Sequence, residues 1–210
     1  MEEQQSSYQA VELIDPLIWI DCEMTGLNLT KNQIIEIAVI VTDGSLDTMI
    51  EGPCLVVRCP ESDLSTMDEW CTQHHTESGL VQQVRDSKIT LQDAEQQILD
   101  FLQNTCNLKG FNAQLAGNSV GEDKRFLSKD MPRLHDFLHY RVVDVSTIYE
   151  CMRRWLTPED VPENKKITKH RALDDIKESI AQLKHYKTHI FDKVKTFNQS
   201  IKSQNLDERQ

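Results

Sequence analysis

The chain has 210 residues, 39% of them hydrophobic and 27% charged, with a formal net charge of −11. That length suits one domain with a full core, and the acidic balance disfavours a long electrostatic groove for duplex DNA or long RNA while leaving room for a short oligonucleotide held by a few local contacts. No apolar stretch reaches the ~18 residues needed to span a bilayer, and Met1-Glu2-Glu3-Gln4-Gln5 has the character of neither a signal nor an Arg-rich transit peptide.

Residues 1–15 are polar and read as a loose segment, 16–194 as a single domain, and 195–210 as a flexible tail with little apolar content. Leu17 to Met24 reads as a strand buried on both faces, ended by Thr25-Gly26. Ile34 to Thr42 is a second, β-branched strand closed by the turn signal Asp43-Gly44. Cys54 to Cys59 is expected as a third, and the short links make an antiparallel meander. After Pro60 the pattern turns helical, with Ser65-x-x-Asp68 and Thr90-x-x-Asp93 as expected helix starts. Gln114 to Ser119 is a short fourth strand, Ser119-x-x-Glu122 opens a helix, and Arg141 to Val145 is the fifth strand. Helices follow at Ser146 to Trp155 and from about Arg171 to Ile190, separated by a loop with two prolines. The order predicts an α/β architecture, a mixed five-stranded sheet flanked by helices, and fits the ribonuclease-H-like topology.

The six cysteines form no C-x-x-C pair, so free thiols in a reducing compartment are expected rather than disulfides or zinc. That makes the cytoplasm the expected location, with the mitochondrion or nucleus as alternatives.

Asp21 and Glu23 are two acids on one face of an apolar strand, because side chains alternate along it. They would repel unless a cation sits between them. Asp123 lies in a first helical turn, where an acid also suits the helix dipole, yet Phe126 and Leu127 put it on the core side. His170 precedes Asp174 and Asp175, both off the apolar stripe, so periodicity does not choose between them. Lys165, Lys166, Lys169 and Arg171 form a basic cluster whose plain reading is a solvated loop. His74-His75 lacks further ligands at zinc spacing. Trp70 and Tyr140 suit either the core or base stacking. Gly117 to Gly121 is a weak phosphate-loop pattern without its lysine.

Taken in order, the motifs are specific. Trp19-Ile20-Asp21-Cys22-Glu23-Met24-Thr25-Gly26-Leu27, then Ala116 to Asp123 with Arg125-Phe126-Leu127, then Leu138-His139-Tyr140-Arg141 with Val143-Asp144-Val145-Ser146-Thr147, and finally His170-Arg171-Ala172-Leu173-Asp174-Asp175-Ile176 resemble the exonuclease motifs of oligoribonucleases. The resemblance covers roughly residues 16–190. It implies a 3′-to-5′ exoribonuclease of the DEDD superfamily with a histidine base, degrading oligoribonucleotides of about two to five nucleotides to 5′-mononucleotides. By that resemblance Asp21, Glu23, Asp123 and Asp175 hold two divalent cations, Mg²⁺ or Mn²⁺, and His170 takes a proton from the attacking water. It further implies that Leu27, Trp70, His74, Ser119, Tyr140 and Arg141 contact single-stranded RNA, Tyr140 from the partner subunit of a homodimer. The rival readings are a broader nuclease trimming RNA or DNA 3′ ends, which the lack of an extended basic surface opposes, and a catalytically inactive binding module, which the intact acids and histidine oppose.

Overall fold

The computed structural model describes residues 13–162 and 171–207, with side chains described as far as residue 199. His170 and the three lysines of the basic cluster lie outside the described residues. Strand β1 (Leu17–Met24) is the centre of a five-stranded sheet of order β3-β2-β1-β4-β5. It runs antiparallel to β2 (Ile34–Thr42), which pairs antiparallel with β3 (Met49–Val56). On the other side β1 is parallel to β4 (Gln114–Gly117), itself parallel to β5 (His139–Asp144).

β3 begins at Met49 and ends at Val56, earlier than its sequence suggests. Gly52-Pro53 hides it, yet β3 is an edge strand, and these residues fall at an irregularity in its pairing with β2. Proline is tolerated there because an edge position can spare an amide donor. Between β3 and β4 lie α1 (Glu61–Leu64), α2 (Glu69–Glu77), α3 (Leu80–Asp86) and α4 (Leu91–Asp100), the last running on through a π-helical turn, Phe101–Thr105. The α2 cap is Asp68, whose carboxylate accepts from Cys71 N at 2.8 Å, so the helix starts later than Ser65 would place it. Thr90 and Asp93 do form a reciprocal capping box on α4.

α5 (Gly121–Asp130) and α6 (Pro132–Phe137) join β4 to β5, and α7 (Val145–Trp155) follows. No side chain caps α5; Asp144, rather than a residue of its own first turn, caps α7 through Ser146 N at 2.9 Å. α8 (Ala172–Tyr186) passes through a π-helical turn, Lys187–Phe191, into α9 (Asp192–Asp207), so most of the segment that reads as a tail is helical. Val194, Phe197 and Ile201 do recur at helical spacing, but they are few, and Val194 and Phe197 are exposed, so the signal is weak beside the polar composition.

Alternation along β1 divides the core. Ile18, Ile20 and Cys22 pack with Ile98, Leu102, Phe126 and Leu134, placing α4 to α6 over one face. Leu17 and Trp19 pack with Met152, Ile176, Ile180 and Tyr186, placing α7 and α8 over the other. Trp19 is fully buried and donates its indole N–H to Thr42 Oγ1 at 3.0 Å, which meets the polar demand of a buried indole. Asp21 and Glu23 continue the Leu17–Trp19 face and therefore point toward α8.

Candidate active site

The apolar length of β1 ends where its acids begin, and α8 arrives with its own acid one turn in. Oxygen atoms of Asp21, Glu23 and Asp175 all lie within 4.8 Å of one another. Asp174 is outside that trio. The Glu23 carboxyl is pushed up to about 8, first by burial and then by the charges of Asp175, Glu36 and Asp123, with the Arg171 guanidinium opposing. Three acids held so closely resist simultaneous ionisation, and a divalent cation reverses that penalty. An all-oxygen donor set fits a hard ion such as Mg²⁺ or Mn²⁺ better than zinc.

Asp123 stands beside the trio rather than within it. β4 pairs with β1 only over Leu17–Trp19, so amides farther along β1 have no strand neighbour on that side. The amide of Cys22 donates instead to Asp123 Oδ1 at 2.9 Å. Asp123 is buried at 7% exposure, and burial holds its carboxyl well above the usual carboxylate range despite that hydrogen bond. The second motif is thus bolted to the strand that carries the first.

The same motif is also tied to α8. Asn118 Nδ2 donates to Ser179 Oγ at 2.8 Å and to Gln182 Oε1 at 2.9 Å, and Ser179 Oγ donates to the carbonyl of Asp175 at 2.8 Å. Ser119 follows with a positive φ of 55°, a left-handed conformation that costs a non-glycine residue free energy. Its amide donates to Asp144 Oδ1 at 3.0 Å, which holds the turn in place.

A cleft of about 490 Å³ opens from Glu23. Met24, Leu27, Trp70 and Cys71 give it apolar walls, and Asp68 and His75 line it as well. Leu27 and Trp70 are 64% and 54% exposed, large apolar groups of the kind that stack on a flat ring. The loop after β1 presents Leu27 through Asn32, which accepts from Asn28 N at 2.9 Å and donates to Thr25 O at 3.2 Å. A Cβ on Gly26 would lie 2.7 Å from Asn32 Oδ1, and φ is +144° there, so glycine is required.

Of the two adjacent histidines, His75 and not His74 lines the cleft. With Asp68 as the cap, Cys71 and His75 share the inner face of α2, while Trp70 and His74 share the next. His75 is buried; its Nε2–H donates to Met24 O at 3.0 Å and its Nδ1 lies 3.9 Å from Glu23 Oε2. His74 stacks on Trp70 with ring centroids 4.0 Å apart, backing that wall rather than forming it. The sequence offers His74 and His75 only as an adjacent pair, and it is the family resemblance, not the residue pattern, that singles out His74.

Tyr140 and Arg141 lie on β5, the sheet edge two strands away from β1. Tyr140 is 68% exposed, with the Arg141 guanidinium 5.3 Å from its ring centre. Arg171 leaves the solvated cluster expected of it: it forms an ion pair at 2.6 Å with Glu36, a fully buried residue of β2. The signal for Glu36 was present, an acid inside Ile34-Ile35-Glu36-Ile37-Ala38-Val39.

Known proteins resemble this chain in sequence and in fold. The family model for exonucleases of the RNase T type matches residues 18–183. An oligoribonuclease of Vibrio parahaemolyticus is 53% identical over 175 residues, which are 83% of this chain and 95% of that protein. The human protein named mitochondrial oligoribonuclease is 48% identical over 177 residues, 84% of this chain and 74% of its own length. In fold, the crystal structure of cell-death related nuclease 4 superposes with a TM-score of 0.60 at 17% identity, over 83% of this chain and 64% of that one. E. coli Exonuclease I in complex with a dA16 oligonucleotide gives 0.57 at 18% identity, over 83% of this chain but only 41% of that longer protein.

Proposed function

The chain belongs to the oligoribonuclease family of exonucleases, and we propose on that footing that it removes 5′-mononucleotides from the 3′ end of short single-stranded oligoribonucleotides. One observation carries the reading: a cleft with stacking walls at Leu27 and Trp70 ends on Glu23, a member of the acid trio. A terminal base between those walls would bring its phosphodiester to the acids. Asp21, Glu23 and Asp175, with Asp123 beside them, would hold two divalent cations, Mg²⁺ or Mn²⁺. Such ions, when bound, stabilise the charge that develops on a phosphodiester during in-line hydrolysis. His170 is the general base by its place in the third motif, accepting a proton from the attacking water, and its neutral imidazole suits that task near pH 7. His75 lies against Glu23 from the protein side.

Tyr140 and Arg141 are proposed to hold the 5′ end of the substrate from the partner subunit of a homodimer. Their exposure on an edge strand remote from β1 supports this reading. A phenol and a guanidinium anchor a terminal phosphate well, and an anchor at the far end would favour the shortest substrates. The cytoplasm is the proposed setting, with the mitochondrion or nucleus as alternatives; no helix among the described residues is long and apolar enough to cross a membrane.

The test compares RNAs of about two to five nucleotides with a longer RNA, in Mn²⁺ and in EDTA. Higher kcat/KM on the short substrates is expected, with weak salt dependence because few phosphates are contacted. A steady rise of kcat/KM with length favours the broader trimming nuclease, and no turnover of any RNA favours an inactive binding module.

A further inference from the structure

We propose that Glu36 is a positioning residue, a buried clamp on the start of α8 that sets Asp175 against Asp21 and Glu23. The proposal rests on the hydrolytic reading above, since it takes those three acids as one working site. A lone carboxylate inside a strand is costly and must be compensated. Glu36 is 0% exposed; apart from a long contact at 3.8 Å from Cys54 Sγ on β3, the groups that compensate it come from the chain around α8. Arg171 Nε donates to both of its oxygens at 3.1 Å and Arg171 Nη2 to Oε1 at 2.6 Å. The amide of Ala172, the first residue of α8, points at Oε2 from 3.3 Å.

That last contact gives Glu36 a specific task. The first amides of a helix have no partner within it, and the capping position of α8, Arg171, supplies no side-chain cap. Glu36 supplies one from another strand, and its charge suits the positive end of the helix. Arg171 Nη2 also donates to Gln83 Oε1 on α3 at 3.0 Å, so three segments meet at this point.

From the clamp to the acid is one helical turn. The amide of Asp175 donates to the carbonyl of Arg171 at 3.0 Å. At the other end, Glu36 is the direct cross-strand neighbour of Glu23. The clamp therefore fixes the start of α8 to the strand pair that carries the other two acids, on the same face of the sheet. Lys177 and Glu51 join α8 to β3 at 2.9 Å through an exposed ion pair, which supplies a contrasting contact between helix and sheet.

The experiment titrates Mn²⁺ into the full-length protein without substrate, reading free Mn²⁺ by electron paramagnetic resonance, and repeats kinetics on a dinucleotide. Glu36→Gln and Arg171→Lys are each expected to weaken Mn²⁺ binding by about 10–100-fold, as for other residues that orient metal ligands. The Mn²⁺ concentration for half-maximal activity should rise by the same factor, with KM for the dinucleotide within roughly threefold of wild type. Lys177→Gln should leave Mn²⁺ binding unchanged. Wild-type Mn²⁺ affinity in folded Glu36→Gln or Arg171→Lys overturns the proposal, as does an equal loss in Lys177→Gln. Should Glu36→Gln fail to fold, Arg171→Lys decides alone, because it keeps the charge and loses only the two-pronged grip. Failure of the wild type to cleave a dinucleotide refutes the functional reading instead, and the Mn²⁺ titration still decides the clamp.

Discussion

Without metal, the protein should lose stability as pH rises, and Glu23 should be a principal cause. Its carboxyl sits at about 8 in the folded chain against the usual 4.5, mainly through burial and then through Asp175, Glu36 and Asp123. The folded state therefore holds the proton more tightly than the unfolded state does. Its stabilising effect is complete below about pH 4.5 and is lost progressively up to about pH 8. Within that window each pH unit costs about 1.4 kcal/mol for one proton. The Glu23 side chain is only 13% exposed, so solvent screens little of this. Between about pH 5.5 and about pH 7.5 the loss is on the order of 2–3 kcal/mol. At roughly 2–4 °C per kcal/mol for a chain of this size, Tm should fall by about 5–11 °C. Thermal melts in EDTA at those two pH values measure it, with Glu23→Gln as the comparison. The variant should show a slope flatter by about that amount, although Asp123, shifted in the same direction, keeps some of it. Saturating Mn²⁺ should reverse the wild-type trend, because metal binds the ionised carboxylates. An identical pH slope in wild type and Glu23→Gln, both in EDTA, would refute the argument.

Asp21→Asn should abolish hydrolysis while raising the metal-free Tm slightly, since one charge leaves the trio; near-normal turnover contradicts its role as a ligand. His170→Ala should lower kcat by about 10²–10⁴-fold with Mn²⁺ binding retained, as expected for removal of a general base. In steady-state assays on a dinucleotide, His75→Ala should lose roughly tenfold or more in kcat/KM through misplacement of Glu23, whereas His74→Ala should act only through looser packing of Trp70; the reverse order would restore His74 as the cleft residue. Mixing Tyr140→Ala chains with Asp21→Asn chains, each nearly inactive alone, should restore activity if sites are completed by a partner subunit. No recovery after demonstrated subunit exchange, or a strictly monomeric protein, excludes that arrangement.

The fold and the site were legible in the sequence to different depths, and the difference follows from what periodicity can carry. β1 announces itself because it is buried on both faces, so two acids at alternate positions stand out against Leu17-Ile18-Trp19-Ile20. The same contrast marks Glu36 within an equally apolar β2, but its meaning depends on a partner 135 residues away. A strand pattern says that a buried acid needs compensation, and not whether a metal or an arginine provides it. Asp21 and Glu23 share a face and repel, which points to a cation; Glu36 stands alone on its strand, which is as easily met by one guanidinium. Local signals also mislead where two candidates compete. Ser65-x-x-Asp68 has the form of a capping box, but Asp68 itself caps α2, so the helix begins three residues later than that pattern suggests. On a helix the side chain that faces the site is set by phase, and a sequence pattern alone does not say which of the neighbours His74 and His75 faces the cleft. Strand alternation is more forgiving here: β1 pairs with a neighbour on each side, and a slip by one residue would turn Trp19 and the acids to the opposite face. The residues that chemistry depends on most are therefore most secure in the sequence when they sit on the central strand, and least secure on the short helices that wall the cleft.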